Sequence, residues 1–598
     1  MQSYNIVLSQ AGYRTGPKHL NNWYLPYAIG CLWAYAIHDS KIESNFKVID
    51  WVWKRNDINS MISSWTKVDI LFCSVYVWND NYTSELCKAV KEKWPDCLIV
   101  WGGPQCDHTN DKIFQSKFFV DIVVVSEGEQ TFKEICHRIM TNDRLDDIQG
   151  TIFNQDLHVK RNPLRPRSEL DNYPSPYISG VFDELIDKTP GVSWSATLET
   201  NRGCPYSCTF CDWGSLIASK VKKFKLEKVF AEIEWFRKKK INWIMIADAN
   251  FGIFKERDIQ IAKLLNDLYE TSGHLAGVTF AFLKNKTDVI IEIARIVKFL
   301  MGNGITLSVQ SLDPHTLKNI KRDNMEINDI SKLISKMNKE KIPYYTEMII
   351  GLPGETLESW KNNYWKLYDA GFHKGINVWQ LAASINSELS QTQVEKHQMV
   401  TKKIPVIDED NNIAEHIPSV IATDTLPFAD YVKAWMFSKI QNFLHGIGFS
   451  LDASIRCKQE GIDFYKFYDQ LEKQLWKKSS WRSMINQMEH LFVKLFHEEG
   501  QTISERQIDI FGLKQVFLQR ENLFQCVDKT LEHFKIEEKN NIIQHAKALV
   551  FDPIHPYNWP LTVDDKTYEY KGPKFQNLDQ YAELQTYRRN SIFVEISE

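Results

Sequence analysis

Short apolar runs alternate with stretches of helical periodicity over the first 165 residues. The runs have the length of buried strands: Tyr4–Ser9, Phe46–Trp53, Asp69–Val77, Leu98–Trp101 and Asp121–Ser126. Two amphipathic stretches, Ser84–Lys93 and Gln130–Met140, have the spacing of helices that bury one face. Strands that alternate with helices predict a doubly wound, Rossmann-like parallel sheet over residues 1–165. Residues 166–193 are rich in proline and charge and predict an irregular linker.

A second alternation of strands and helices covers residues 194–395. Six apolar runs predict strands: Ser195–Thr200, Trp243–Ala247, Val278–Ala281, Thr306–Gln310, Tyr345–Ile350 and Ile376–Leu381. Five helical patterns fill the intervals: Leu226–Lys240, Glu256–Thr271, Asp288–Met301, Asn328–Lys339 and Leu357–Ala370. This order predicts a (β/α) partial TIM barrel, in which chemistry is found at the carboxyl ends of the strands.

Residues 396–598 follow a different pattern. Long amphipathic stretches dominate them: Phe428–Leu444, Phe464–Trp476, Trp481–His497 and Arg520–Phe534. These stretches predict a mainly α-helical C-terminal domain that caps the site or shapes a substrate pocket. The last part, Pro553–Glu598, is aromatic and irregular. The whole chain is therefore expected to be an α/β protein with a helical C-terminal third.

Composition narrows the class of protein. Apolar residues make up 43% and charged residues 25% of the 598, which excludes a disordered or fibrous chain. The 72 Lys and Arg against 76 Asp and Glu leave a net charge of −4, so we expect no nucleic-acid partner. The 11 Cys are too sparse for a disulfide scaffold and indicate a reducing compartment, the cytoplasm.

The uncharged run Leu20–Ile37 does not change the expectation of a protein in the cytoplasm. The run could reach the length of a membrane span, but its two Asn, one Pro and one Gly favour a loop that leads into a buried helix. No basic n-region of a signal peptide follows Met1. We therefore expect no membrane partner.

One motif points directly to a metal cofactor. Cys204, Cys208 and Cys211 have the spacing C-x3-C-x2-C immediately after the first predicted barrel strand. Three thiolates can hold three irons of a [4Fe–4S] cluster and leave the fourth iron open to a non-protein ligand. Zinc is the alternative, but a structural zinc site takes four ligands, and this loop has no fourth Cys or His.

The motif, which spans Asn201–Asp212, resembles the signature of the radical S-adenosylmethionine (SAM) superfamily. Further matches end later predicted strands: Ile246–Phe251, Thr306–Ser311 and Glu347–Thr356. The resemblance implies that the open iron binds the amino and carboxylate groups of SAM, and that reductive cleavage of SAM yields a 5′-deoxyadenosyl radical. It also implies an external electron donor such as a flavodoxin or ferredoxin.

The same resemblance implies a set of SAM contacts: Phe210, Asp248, Asn250, Ser308, Gln310, Glu347 and Gly351. Carboxylate and amide side chains suit an ammonium group and ribose hydroxyls, and a glycine leaves room for a flat base. Asp248 and Asn250 could instead form a helix N-cap pair, and Gln310 and Glu347 a polar layer inside the barrel.

Lys284 ends the third predicted barrel strand and is a candidate contact of substrate or SAM. An exposed loop lysine is the alternative. No catalytic side chain is identified from the sequence.

Three loops follow successive predicted strands of the first domain: Tyr76-Val77-Trp78-Asn79, Gly102-Gly103-Pro104 and Glu127-Gly128-Glu129. Glycine at a strand end lets the backbone approach a bulky ligand closely. Any one of these loops alone is typical of an ordinary turn. Three of them at successive carboxyl ends favour a ligand-binding edge.

A parallel α/β domain with such loops, followed by a radical SAM barrel, resembles the cobalamin (B12)-binding domain of B12-dependent radical SAM enzymes. The resemblance implies that the three loops contact cobalamin. One departure concerns D-x-H-x-x-G, whose His is the lower axial ligand of cobalt in many cobalamin domains. Asp156-Leu157-His158 and Asp313-Pro314-His315 both lack the Gly. Either the cobalt has no protein histidine below it, which we favour, or the domain has lost cobalamin.

The pairing of cofactors implies the reaction. One SAM methylates cobalamin, a second gives the radical that removes a hydrogen from an unactivated carbon, and that carbon takes the methyl group from methylcobalamin. We therefore expect a C-methyltransferase, acting as a monomer on a small molecule, a peptide or a lipid.

Two alternatives are kept beside this expectation. The first is a radical SAM enzyme of another reaction type, such as rearrangement or cyclisation, with a cobalamin-binding or vestigial N-terminal domain. The second is a non-catalytic Fe–S protein, which the matches at three strand ends disfavour.

Overall fold

The computed structural model describes residues 3–15, 21–109, 113–155, 158–213, 220–284, 286–301, 304–373, 375–406, 413–497 and 504–550, and three short strands beyond them. The chain divides into two compact units. The first comprises Met1–Gly302, Ala382–Lys396 and Lys403–Pro418, and the second comprises Asn303–Leu381, His397–Lys402 and Ser419–Glu598. No helix in the described ranges is long and apolar enough to cross a lipid bilayer.

The first 165 residues supply a seven-stranded sheet to the first unit. Their described strands are β1 (Tyr4–Gly12), β2 (Asn22–Tyr24), β3 (Phe46–Lys54), β4 (Ile70–Ser74), β5 (Leu98–Gly102), β6 (Ile122–Val124), β7 (Thr151–Gln155) and β8 (His158–Arg161). All except β2 lie in this sheet, in the order β3-β1-β4-β5-β6-β7-β8. The first five run parallel, and β7 and β8 add an antiparallel hairpin. Among the parallel strands this is the doubly wound order 2-1-3-4-5, so the order reverses between β1 and β4 and leaves a crevice beyond their carboxyl ends.

Helices cover both faces of this sheet. They are α1 (Tyr27–Ala36), α2 (Ser40–Asn45), α3 (Ile58–Ser64), α4 (Asp80–Lys93), α5 (Ile113–Ser116) and α6 (Glu129–Thr141). Successive side chains of a strand point to opposite faces. Leu71 and Cys73 of β4 accordingly belong to the core that includes α3 and α4, and Ile70 and Phe72 to the core that includes α1 and α6. The predicted doubly wound fold is confirmed.

The first unit contains a second, four-stranded parallel sheet. Between residues 193 and 279 the chain forms the strands β9 (Ser193–Leu198), β10 (Asn201–Arg202), β11 (Lys222–Lys223), β12 (Trp243–Ile246) and β13 (Gly277–Thr279). The sheet has the order β13-β12-β9-β2, and β10 and β11 form a separate hairpin. The accompanying helices are the 3-10 turn Leu170–Asn172, α7 (Asp183–Asp187), α8 (Leu226–Lys238), α9 (Lys255–Ser272) and α10 (Thr287–Val297).

The second unit begins with a three-stranded parallel sheet. Its strands are β14 (Ile305–Thr306), β15 (Tyr344–Ile350) and β16 (Ile376–Gln380), with α11 (Pro314–Asn319), α12 (Ile327–Lys339) and α13 (Leu357–Asp369) between them. All six strands predicted for residues 194–395 are therefore present. The fourth is shorter than the predicted Thr306–Gln310: it ends at Thr306, and Gln310, with φ +63°, forms only an isolated bridge to Met348.

The C-terminal third is mainly helical, as predicted. Its helices are α14 (Phe428–Gln441), α15 (Leu451–Gln459), α16 (Phe464–Leu475), α17 (Ser479–His497), α18 (Glu505–Leu518), α19 (Arg520–His533) and α20 (Lys539–Leu549). π-Helical turns occupy Leu389–Gln393 and Asn442–Gly446. The remaining strands are β17 (Val400–Val406) and β18 (Glu415–Ala422), which pair, and β19 (Leu561–Val563), β20 (Lys566–Tyr570) and β21 (Val594–Ser597), which form a three-stranded sheet.

Gly30 of α1 provides a test of packing in the first unit. A Cβ atom added there would lie 2.2 Å from Cζ of Phe182, whose buried ring is held between those of Tyr177 and Trp51. Because this buried ring is packed against two other aromatic rings, we expect Gly30→Ala to lower the free energy of unfolding by about 1–3 kcal/mol. Gly12→Ala is the control, since its nearest new neighbour would be 3.7 Å away. Urea denaturation followed by circular dichroism compares the two variants, and equal midpoints would contradict the packing argument.

Candidate functional site

The cluster loop, defined here as Gly203–Asp212, follows β9 and the short strand β10. Gly203 has φ +116°, so the loop begins with a turn in the left-handed region that glycine adopts without strain. Cys204, Cys208 and Cys211 are half-buried on this loop and form no disulfide bond. A backbone bond from Cys211 N to Cys208 O, 3.2 Å long, tightens the turn between them.

The chemistry of the three thiols fits an iron–sulfur cluster. Burial raises the pKa of the Cys211 thiol, and nearby Cys208 and Cys204 raise that pKa further. Iron replaces the thiol protons and offsets the repulsion between thiolates, so this donor set favours a bound cluster. Among the described residues, no three His, Cys, Asp or Glu side chains are already gathered to hold a metal ion.

Asp248, just after β12, holds the entry to the cluster loop. Its buried carboxyl group accepts hydrogen bonds from Thr200 N at 2.7 Å, Asn201 N at 3.1 Å and Asn201 Nδ2 at 2.7 Å, and from the Thr200 hydroxyl. Burial raises its pKa to about 7 in spite of these bonds. The side chain therefore acts on the two residues that lead into the cluster loop.

Asn250 touches the cluster loop itself. Its Nδ2 donates to Sγ of Cys204 at 3.3 Å. Its Oδ1 is buried and finds no hydrogen-bond partner in the described part of the chain. Buried polar atoms are normally paired, so an orphaned oxygen here indicates a group that a ligand completes. The N-cap alternative for Asp248 and Asn250 is wrong, because α9 begins only at Lys255.

Arg257 of α9 is a site residue that the sequence analysis missed. Its buried guanidinium donates to Thr200 Oγ1 at 3.0 Å, Thr200 O at 2.9 Å and Phe224 O at 3.0 Å. Asp248 and Arg257 together therefore bind the N–H, hydroxyl and carbonyl groups of Thr200. A single arginine in an amphipathic helix is usually solvated, so the sequence pattern carried no signal for this role.

Lys284 lies beside the cluster loop. Its Nζ is 5.1 Å from the ring centroid of Tyr206, within the range of a cation–π contact. Its positive charge lowers the pKa of the Cys211 thiol, against the larger effect of burial. Phe210 of the same loop is half-buried.

In the second unit, Glu347 of β15 is held by two donors. Ser308 Oγ donates to Oε2 at 2.7 Å and Trp379 Nε1 to Oε1 at 3.2 Å. Trp379, on β16, is 42% exposed and was not predicted as a site residue. The pairing of Glu347 with Ser308 brings two of the predicted SAM residues together.

Gln310 and Gly351 have unusual backbone conformations. Gln310 has φ +63°, which is uncommon for a residue other than glycine. Its buried Oε1 has no hydrogen-bond partner among the residues that the structure describes. Gly351 has φ +97°, and an added Cβ would lie 3.1 Å from Val420 O and 3.5 Å from the Tyr431 ring. The glycine is therefore required by close packing of the backbone.

The loop after β4 carries an aromatic pair. The rings of Tyr76 and Trp78 stack with centroids 4.3 Å apart, and Trp78 is 40% exposed. The buried side chain of Asn79 fixes the conformation of this loop. It accepts from Tyr76 N at 2.7 Å and donates to Ala11 O at 3.0 Å and Ser74 O at 3.1 Å.

The loop after β5 packs against the loop after β4. Gly103 has φ +107°, and an added Cβ would lie only 2.5 Å from Val75 O. Val75 N in turn donates to Gly102 O at 2.7 Å. The close contact between the two loops therefore explains why position 103 is a glycine. Val77 and Pro104, in the same two loops, are half-buried.

The loop after β6 carries two ion-paired carboxylates. Glu127 Oε1 accepts from Arg167 Nε at 3.2 Å, and buried Glu129 Oε1 accepts from Arg202 at 2.7 Å. Gly128, between them, is the N-cap of α6. These three loops, Tyr76–Asn79, Gly102–Pro104 and Glu127–Glu129, are called the sheet-edge loops below.

A stretch of the first unit far along the chain also reaches this region, and the sequence analysis missed it. Asn386 Nδ2 donates to Pro104 O at 2.9 Å and to Cys106 O at 2.8 Å. Leu389 N donates to Thr209 O at 2.8 Å. This stretch therefore contacts both a sheet-edge loop and the cluster loop.

Comparison with known protein families matches residues 198–364 to the radical SAM superfamily. Solved structures of low identity share the fold. The cobalamin-dependent SAM radical enzyme OxsB, solved with aqua-cobalamin and SAM bound, aligns with a TM-score of 0.55 over 94% of this chain and 85% of its own, at 14% identity. The radical SAM methyltransferase TsrM from Kitasatospora setae, solved with cobalamin and a [4Fe–4S] cluster, aligns with a TM-score of 0.52 over 74% of this chain and 88% of its own, also at 14% identity.

Two relatives are closer in sequence. The cobalamin-dependent radical SAM methyltransferase TokK of Streptomyces tokunonensis is 33% identical over 464 residues, which cover 75% of this chain and 67% of TokK. The 2-(S-pantetheinyl)-carbapenam-3-carboxylate methyltransferase of Streptantibioticus cattleyicolor is 31% identical over 469 residues, which cover 75% of this chain and 68% of the relative. The chain therefore belongs to the cobalamin-dependent radical SAM methyltransferases, enzymes that use a [4Fe–4S] cluster, S-adenosylmethionine and cobalamin.

Proposed function

We propose that cobalamin binds at the carboxyl edge of the seven-stranded sheet. The strand order reverses between β1 and β4, and the sheet-edge loops follow β4, β5 and β6 at the same edge. This coincidence of the switch point with three loops carries the proposal, because open parallel sheets bind ligands at such points. The stacked Tyr76 and Trp78 rings add apolar surface for a corrin.

Within the sheet-edge loops we divide the residues into two roles. Direct contacts with cobalamin are proposed for Tyr76, Val77, Trp78, Gly102, Gly103, Pro104, Glu127 and Gly128. Asn79 and Glu129 are buried and bonded to protein groups, so they shape the loops from within.

We propose Cys204, Cys208 and Cys211 as the three protein ligands of the cluster. Asn250 donates to the sulfur of Cys204, and hydrogen bonds to cluster sulfurs raise the reduction potential. Asp248 acts indirectly, since its carboxyl group holds Thr200 and Asn201 ahead of the loop. When bound, the cluster and SAM supply a radical that removes a hydrogen, and cobalamin supplies the methyl group.

For SAM we propose the contacts that the family resemblance implies, with Asp248 acting through Thr200 and Asn201 rather than by direct contact. The unpaired oxygens of Asn250 and Gln310 are acceptors ready for a donor from the ligand. Glu347 is oriented by Ser308, Gly351 offers backbone, and Phe210 lies on the cluster loop. Lys284, held against Tyr206, remains a candidate contact of substrate or SAM.

The proposed reaction is methylation of an unactivated carbon of a small molecule. The relative from Streptantibioticus cattleyicolor carries a carbapenam carboxylate in its name, so carboxylates of this class are the first substrates to test. Rearrangement or cyclisation, and a peptide or lipid substrate, are alternative outcomes of the same test.

We further propose that the chain acts as a monomer in a reducing cytoplasm, with a flavodoxin or ferredoxin as electron donor. None of the 11 cysteines, all of which lie in the described part of the chain, is in a disulfide bond, which favours a reducing compartment. The proposed division of labour follows the sequence: residues 1–165 for cobalamin, 166–193 as linker, 194–395 for the cluster and SAM, and 396–598 for substrate.

Cys208→Ala tests the cluster assignment. Two cysteines cannot hold the cluster that three hold, so we expect iron content and visible absorbance after anaerobic reconstitution to fall to background, with no 5′-deoxyadenosine formed from SAM. Cys457→Ala is the matched control, because this thiol is buried on α15 in the second unit. Equal iron content in both variants would show that the cluster is held elsewhere.

Methyl transfer is tested with the reconstituted full chain, hydroxocobalamin, a strong one-electron reductant and SAM labelled in its methyl group. With the pantetheinyl carbapenam carboxylate as the probe, we expect a product that contains the label, together with 5′-deoxyadenosine and S-adenosylhomocysteine, by mass spectrometry. A product of unchanged formula would indicate rearrangement, and a product that lacks two hydrogens would indicate cyclisation. Failure of the wild-type chain to retain cobalamin would contradict the cobalamin site.

A further inference from the structure

One guanidinium bridges the loop after β6 and the loop after β9 in the first unit. Arg202, two residues before Cys204, donates from Nη2 to Glu129 Oε1 at 2.7 Å and from Nε to Glu199 Oε1 at 2.8 Å. Glu129 opens α6, directly after a sheet-edge loop, and Glu199 directly follows β9. The bridge therefore connects the seven-stranded sheet with the sheet that carries the cluster loop.

The bridge is buried, and its Glu199 end is held by a further residue. The side chains of Arg202 and Glu129 are 12% and 4% exposed. The Tyr27 hydroxyl donates to Glu199 Oε2 at 3.2 Å, and Glu127 Oε1 lies 3.8 Å from Arg202 Nη1. Glu199 is thus held by a second residue and Glu129 is buried at the start of α6, so the guanidinium sets the length and direction of the bridge.

Arginine is the side chain that this arrangement requires. Its planar fork donates in several fixed directions at once, and hydrogen bonds between charged groups are short and directional. A lysine would keep the charge but has a single ammonium, which cannot reproduce the Nε and Nη2 bonds in the same geometry.

We propose that Arg202 is a positioning residue whose bridge sets the distance and orientation between the Glu127–Glu129 loop and the cluster loop. This inference rests on the proposed function, since it matters for catalysis only if cobalamin and the cluster lie at these loops. Methyl transfer requires the cobalamin and the cluster to be held at a fixed distance on either side of SAM. A misplacement of about 1 Å can lower the rate roughly a hundredfold.

Hydrogen exchange of the chain without cofactors provides the first test. Arg202→Lys is compared with Arg138→Lys, a control in which the arginine also donates to two carboxylates, those of Glu134 and Asp147. We expect Arg202→Lys to speed exchange in residues 126–132 and 199–213 together, and Arg138→Lys to change neither range. Faster exchange in only one of the two ranges would overturn the bridge.

Spectroscopy and kinetics of the reconstituted chain provide the second test, without any substrate. We expect Arg202→Lys to keep its iron and cobalamin. In electron paramagnetic resonance, however, the reduced cluster should enhance the spin relaxation of cob(II)alamin less than in the wild-type chain, because the distance between them is no longer fixed. Transfer of the SAM methyl group to reduced cobalamin, measured as S-adenosylhomocysteine, should fall between roughly tenfold and a hundredfold. Reductive cleavage of SAM to 5′-deoxyadenosine, which needs the cluster alone, should be unchanged.

The outcomes separate this inference from the proposed function. A wild-type chain without bound cobalamin contradicts the proposed function, while the exchange experiment still decides whether the bridge couples the loops. If Arg202→Lys binds iron and cobalamin and still shows the spin relaxation and the methyl-transfer rate of the wild-type chain, the positioning role is overturned. If Arg202→Lys loses a cofactor, Glu129→Ala, which removes one end of the bridge and keeps Arg202, is judged by the same measurements.

Discussion

The buried carboxyl group of Asp248 is the interaction on which the cluster loop depends. It binds the backbone N–H groups of both Thr200 and Asn201 and a side-chain donor from each. Arg257 satisfies the carbonyl of Thr200 from the other side. Strand β9 ends just before these residues, so the chain beyond its end is fixed by side chains from the loop after β12 and from α9. Three thiols on a short loop hold a cluster in a defined place only if the start of that loop does not move.

Local pattern was sufficient for the parallel strands other than β2, for most helices and for the cysteine loop, but it did not predict antiparallel strands such as β7, β8, β10 and β11. Apolar runs of strand length identify β1, β3 and β15 directly, and the spacing of Cys204, Cys208 and Cys211 identifies the chemistry. Strand β2 was missed because three residues are too few to show alternation. Arg257 and Asn386 were missed for another reason. Their partners lie far away in the chain, and nothing in the neighbouring sequence distinguishes them from solvated polar residues. Asp248 was recognised as important, yet its role in holding Thr200 becomes visible only from the contacts.

Several polar groups near the proposed cofactor residues remain unsatisfied in the protein alone. Asn250 Oδ1 in the first unit, and Gln310 Oε1 and the Tyr431 hydroxyl in the second, are buried without partners among the described residues. An unpaired buried polar group costs about 1–3 kcal/mol. A ligand that donates or accepts at these atoms removes this cost, so part of its binding free energy appears as added stability of the folded chain. Under the proposed function, a cofactor group that binds beside Asn250 or Gln310 supplies the missing hydrogen-bond partner.

The pairing of β2 with β9 has a consequence for how such proteins arise. Asn22, Trp23 and Tyr24 lie beside Ser193, Trp194 and Ser195, so the chain leaves the first sheet after β1, contributes a strand to the second, and returns for α1. The two modules are interlaced in sequence. A single recombination event near residue 165 would deliver a foreign edge strand to β9 along with a foreign N-terminal module. The match between β2 and β9 must therefore be inherited together with both modules, which makes the pair the unit of evolutionary exchange.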